Sequence, residues 1–241
     1  WRVPYTGMGI MCVVTMVPLA LLLRRKAPSE IEAAENNGVH SIPPSHIIDL
    51  SPRALRLLLA IAGIACCVAM SMPQVHIVAY CADLGYGVAR GAEMLSLMLF
   101  AGIFSRLASG FLADYIGGVR TLLLGSFLQL LALLFYLPYD GLMSLYVISF
   151  MFGLAQGGII PSYAIIIRQY LPAREAGRSI GLVIMATILG MALGGWLSGW
   201  IYDVTGAYRV AFINGIGWNV LNLGVIALIL WRTVRFRTIT A

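Results

Sequence analysis

The sequence predicts an all-α polytopic membrane protein, and three observations carry that prediction. Mean hydropathy is +0.90, with 60% hydrophobic and 11% charged residues, a balance outside that of soluble domains. The apolar residues gather into long runs near or above the roughly 20 residues that cross a bilayer as helix. Most of the charges lie in the connections between those runs. Helices and not strands follow from run length and from the need to satisfy backbone hydrogen bonds within each segment.

Seven spans are read from the chain, at roughly 3–23, 55–80, 92–113, 119–138, 143–167, 179–201 and 210–231. The second contains Met72-Pro73, where a kink or break is expected because proline removes a backbone donor. Between the first two spans lies the one long polar segment, with Glu30, Glu32, Glu35, Asn36, Asn37 and Pro43-Pro44. It reads as a linker over 24–53, with room for a short amphipathic helix along the membrane surface. Gly153, Gly157 and Gly158 cluster in the fifth span, and Gly190, Gly194, Gly195 and Gly199 in the sixth. Such spacings let helix backbones approach closely.

Charge fixes the expected orientation. Arg24, Arg25, Lys26, Arg53, Arg56, Arg120, Arg168, Arg174, Arg178, Arg232, Arg235 and Arg237 fall on one side. Arg2, Arg90 and Arg209 fall on the other. The positive-inside rule then puts the tail 232–241 in the cytoplasm and residue 1 outside, in a multi-pass protein of the cell membrane. The excess of 16 Lys+Arg over 10 Asp+Glu is therefore topological, and no nucleic-acid partner is expected. Cys12, Cys66, Cys67 and Cys81 lack metal-ligand spacing and read as small packing residues. No phosphate loop, metal cluster or nucleophile–base pair is visible, so neither a cofactor nor an enzymatic reaction is expected.

One motif occurs twice. Gly110, Asp114, Gly117 and Arg120 form G-x-x-x-D-x-x-G-x-x-R, and Gly199, Asp203, Gly206 and Arg209 repeat it between the last two spans. A glycine at a helix end allows close approach, and the aspartate can face a positive helix N-terminus. The second glycine permits a sharp turn, and the arginine places charge at the headgroups. Trp1-Arg2-Val3 also matches Tyr208-Arg209-Val210 in type.

The stretch Gly110–Arg120 resembles the short loop signature of the major facilitator superfamily, in the copy between its eighth and ninth helices. Tyr115 departs from the basic residue usual there. The resemblance covers essentially the whole chain and implies a six-helix bundle of that superfamily plus one additional helix. Residues 1–23 would be the last helix of a first bundle, whose other five helices belong to the full protein and would be partners of this chain. Residues 24–53 would be the linker, and 54–231 the second bundle.

An ionisable side chain inside a span is costly, about 2.5–3.5 kcal/mol at the centre on insertion scales. Arg106 is the outstanding case, eight residues before Asp114 and so about 12 Å from it along a helix. Its guanidinium can hold a carboxylate in a bidentate fork. The plainer alternative is that it snorkels to the cytoplasmic headgroups or pairs with Asp114. Leu95–Asp114 is similar to the corresponding helix of the monocarboxylate-porter branch, which carries an arginine at this position as its substrate contact. That branch's animal members have an aspartate one turn earlier, where this chain has Gly102. The related dicarboxylate exchangers add a lysine in the eleventh helix, and none occurs between Ser179 and Ile201.

Gln74, His76 and Tyr80 form a second candidate group, in a Pro-x-x-His-x-x-x-Tyr pattern reminiscent of bacterial porters of the same branch. His76 and Tyr80 are i, i+4 neighbours, and a histidine there can bind substrate or accept a proton. The bland alternative is an interhelical hydrogen bond. The resemblance thus implies a secondary transporter of a small organic anion, a monocarboxylate, embedded in the lipid bilayer, with a proton as candidate co-substrate. A multidrug or other solute porter is the alternative within transport. A seven-helix receptor is the alternative outside it.

Overall fold

The computed structural model describes residues 2–22 and 50–239, and the described residues are helical apart from short turns. The order is α1 (Arg2–Leu22), α2 (Pro52–Asp83), α3 (Val88–Ile116), α4 (Gly118–Phe135), α5 (Leu142–Gln156), α6 (Ile159–Tyr170), α7 (Ala173–Thr205) and α8 (Tyr208–Ile239). Six stretches of the described residues are long and apolar enough to cross a membrane, α5 and α6 together counting as one. The chain divides into two units, Trp1–Pro43 and Pro44–Ala241. In the first unit α1 occupies the first expected span, although its apolar part, Gly9–Leu19, is shorter than the other six. Its side chains Ile10, Val14 and Leu21 are exposed. Most of the expected linker lies outside the described residues. α8 runs on to Ile239, through most of the expected tail.

The second unit is the six-span bundle. α2 starts at a capped end: Ser51 accepts the amide of Ala54 at 3.2 Å, and Pro52 occupies the first turn, where its missing donor costs nothing. The helix then continues unbroken through Pro73, which is buried. Proline orphans the carbonyl of Ala69, and α8 comes close there, with Gly215 beside Ala69 and Met72. Neighbouring helices commonly support such a site in membranes. The break falls instead in the fifth span, at Gly157-Gly158, which separates α5 from α6.

Two helix pairs are joined through glycine. α7 lies on α2 so closely that a Cβ at Gly190 would come 2.6 Å from the Ile64 carbonyl oxygen, and one at Gly194 as close to the Val68 backbone. α5 lies on α3 in the same way: a Cβ at Gly153 would overlap the Met98 carbonyl, and one at Gly157 the Gly102 carbonyl. Around these pairs the core is apolar, with Leu59, Met72, Met98, Phe152, Tyr163 and Phe212 buried. Polar side chains bridge helices inside it. Asn222 donates to the Ser126 hydroxyl at 2.9 Å, and the Gln129 amide reaches the Cys66 carbonyl at 3.4 Å. Cys66, Cys67 and Cys81 are buried free thiols, in line with a packing role, whereas Cys12 is exposed.

α2 and α7 run parallel. At one end Arg56 pairs with Glu175 at 3.2 Å, and at the other the Tyr202 hydroxyl donates to Asp83 at 2.5 Å. α3 returns from the second of these ends, so the α3–α4 turn and the α7–α8 turn lie at opposite ends of the bundle.

Candidate functional site

α3 packs through one row of small and flexible residues, Met94, Met98, Ala101, Gly102 and Ser105, all buried. Ser105 fixes the contact by donating to the Leu154 carbonyl of α5 at 2.5 Å. Phe104, Ala108 and Leu112 occupy the flank facing α4. At 100° per residue, Arg106 falls on the other flank, beside Gly91, Leu95 and Gly102. Gly91 is where α3 meets α2, since a Cβ there would lie 2.6 Å from the Val78 Cα. Arg106 therefore stands on the α2 side of α3. Its side chain is exposed, and no carboxylate among the described residues pairs with it. It lies ten residues, or about 15 Å, from the end of α3 at Ile116, half of a typical hydrocarbon core.

The second candidate group divides between two faces of α2. Gln74, half-buried, donates through Nε2 to the side-chain oxygen Oε1 of Gln156 on α5 at 2.5 Å. His76 lies 200° round the helix from it, with Nε2 at 2.9 Å from the Gly195 carbonyl of α7 and its ring 5.8 Å from that of Tyr208. At that carbonyl the ring nitrogen acts as donor. Tyr80, one turn further, sets its ring edge against Tyr208 at 5.7 Å and Phe212 at 5.5 Å, both on α8. Gln74 thus bridges α2 to α5, while His76 and Tyr80 bridge it to α7 and α8.

Gln156, Asp83 and Tyr202 are not among the site residues read from the sequence. Gln156 carried a signal, a carboxamide beside the glycine pair of an otherwise apolar span. Asp83 and Tyr202 are distant in sequence, and only the parallel pairing of α2 with α7 brings them together.

The motif residues surround the α3–α4 turn. Gly117 alone separates the helices, at φ +87°, a conformation that favours glycine. Asp114 and Arg120 are both exposed, and no ion pair joins them. A Cβ at Gly110 would meet nothing within 4 Å among the described residues.

Comparison with known proteins places this arrangement. A family model described as Major Facilitator Superfamily matches residues 1–148 and 94–239. Monocarboxylate transporter 13 of Bos taurus is 27% identical over 144 residues, covering 59% of this chain and 34% of that protein. Monocarboxylate transporter 4 of Mus musculus is 24% identical over 239 residues, covering 95% of this chain and 50% of that protein. Probable anion transporter 7 of Oryza sativa subsp. japonica is 31% identical over 143 residues, covering 57% and 32%. The chain spans between a third and a half of the length of these relatives. Among solved structures, a crystal structure of the peptide transporter POT in complex with sulfate superposes with TM-score 0.69 at 16% identity, over 79% of this chain and 41% of that one. At that identity the likeness concerns the fold alone.

Proposed function

The chain belongs to the Major Facilitator Superfamily, and on that premise we propose that it forms part of a secondary transporter for a small organic anion, a monocarboxylate. Its six spanning stretches make it a multi-pass membrane protein. Family membership favours transport over the seven-helix receptor. α1 serves as the last helix of a first bundle, the segment to residue 53 as linker, and the helices from α2 onward as the second bundle. The two bundles expose a midplane site alternately to each side, with the C-terminal end in the cytoplasm.

Arg106 carries the reading. A guanidinium some 15 Å inside a span, without a carboxylate partner among the described residues, finds its counter-charge in the transported anion. Its fork binds a carboxylate through two parallel hydrogen bonds, which sets orientation as well as affinity. Gln74 with Gln156, at the seam of α2 and α5, supplies the polar contact opposite. His76 and Tyr80 hold α2 against α7 and α8, and His76 is the candidate for taking up a proton that accompanies the anion. A further relative favours a second reading, an inorganic anion: Sodium-dependent phosphate transport protein 1, chloroplastic, of Arabidopsis thaliana is 27% identical over 220 residues, covering 82% of this chain and 39% of that protein.

The test is uptake by the full-length protein in vesicles, with labelled lactate and labelled phosphate as probes and with or without an inward proton gradient. Arg106→Lys keeps the charge and loses the fork, and should lower lactate uptake about tenfold or more at unchanged expression. Lactate uptake equal to the parent's would remove Arg106 from the site. Uptake of phosphate alone would move the substrate to the second reading, and indifference to the gradient would end the proton assignment.

A further inference from the structure

α3 and α4 are joined by a one-residue turn and yet diverge, leaving a cleft of about 410 Å³ between them. Phe104, Ala108 and Leu112 form one wall, Leu124 and Leu128 the other, and Ala155 of α5 lies on the floor. Phe104 is 54% exposed and Leu128 41%, so the cleft opens along its length and away from α5. From Phe104 to Leu112 it follows about 12 Å of helix. These dimensions suit one hydrocarbon chain lying parallel to the helices.

The mouth at the α3–α4 turn is not apolar. Arg120 stands one turn before Leu124 on the same face of α4, and Tyr115 continues the Ala108–Leu112 flank of α3. Both are exposed, Tyr115 at 88%. Asp114 lies 100° back round α3 from Tyr115, on the flank away from the cleft. Gln169 accepts the Gly118 amide at 3.3 Å, which ties the end of α6 to the start of α4 and brings exposed Arg168 to the same end of the bundle.

We propose that this cleft is a binding site for an anionic phospholipid, with one acyl chain between α3 and α4 and the headgroup phosphate on Arg120 and the Tyr115 hydroxyl. The choice of an anionic lipid follows from charge. Bilayer chains are as apolar as leucine, so the cleft walls do not discriminate between lipids, and the selection falls to the mouth. There a guanidinium and a phenol offer donors to phosphate, and no carboxylate of α3 or α4 shares their flank. The site is separate from Arg106, which lies on the opposite side of α3, and lipid binding there does not depend on which solute the protein carries.

To test it, the full-length protein is placed in nanodiscs of equal phosphatidylglycerol and phosphatidylcholine, released into detergent, and its retained lipids counted by native mass spectrometry. The parent should retain phosphatidylglycerol about threefold over phosphatidylcholine, the preference one exposed charged contact supports. Arg120→Gln should abolish the preference and keep the lipid number. Ala108→Phe fills the cleft from an exposed position and should lower the retained number for both lipids. Arg90→Gln, at the other end of α3, should behave as the parent. The proposal is overturned by a parent without preference, by Arg120→Gln that keeps it, by Ala108→Phe that retains as many lipids, or by Arg90→Gln that loses the preference too.

Discussion

The two copies of G-x-x-x-D-x-x-G-x-x-R share four residues and end up in different surroundings. At the α3–α4 turn the copy is open: a Cβ on Gly110 would touch nothing within 4 Å, and Asp114 and Arg120 stand exposed. At the α7–α8 turn, on the opposite end of the bundle, Asp203 and Arg209 are exposed as well, but the first glycine is packed. Gly199 lies under the His76 ring, whose Cε1 would be 3.5 Å from its Cβ. Beside Asp203, Tyr202 stacks on Tyr208 at 4.1 Å and donates to Asp83. What the copies have in common is the turn. Gly117 and Gly206 both hold positive φ, at +87° and +68°. The motif therefore encodes a backbone reversal, and the packing of its other residues is set by what the rest of the bundle brings near.

The turn glycines give the largest expected effect. Gly117 combines φ +87° with ψ 155°, a region open essentially to glycine, whereas Gly206 at φ +68° and ψ 13° sits in the left-handed helical well. Gly117→Ala should cost up to about 3 kcal/mol and Gly206→Ala about 1 kcal/mol. Thermal unfolding in detergent separates the two, and equal losses would break the distinction. Next come the helix glycines. Gly199→Leu drives a side chain into His76 and should cost about 1–2 kcal/mol, while Gly110→Leu meets open space and should cost nothing measurable. Equal melting temperatures for the two variants would show that the second copy is not packed more tightly than the first.

The smallest expected effect on stability belongs to the aspartates. Neither Asp114→Asn nor Asp203→Asn removes an ion pair seen among the described residues, so both should melt within about 0.5 kcal/mol of the parent. Conformation is another matter under the proposed transport cycle. Asp114 is free to meet a helix terminus of the other bundle, so Asp114→Asn should shift accessibility labelling of the full-length protein between its two states, and Asp203→Asn should not. Identical labelling of both variants and the parent would remove Asp114 from the conformational motif.

By itself the sequence determined the class, the family and the segments that become helices. These are properties of local runs: some 20 apolar residues in lipid satisfy their backbone only as helix, and glycine is required where the chain turns at positive φ. Arg106 was legible for the same reason, as a charge within an apolar run. Tertiary structure decided which faces meet. Spans that are apolar on most sides carry little periodic signal, so nothing in the order of residues says that Gln74 turns to Gln156 while His76 turns to Gly195. Nor does local sequence decide between a break at Pro73 and one at Gly157-Gly158. Both positions weaken the helical ladder and both lie against a neighbour, α8 at Gly215 and α3 at Gly102 and Ser109, yet the helix runs on only at Pro73. Contact between helices is a property of pairs of surfaces, and a single chain read in order contains only one member of each pair at a time.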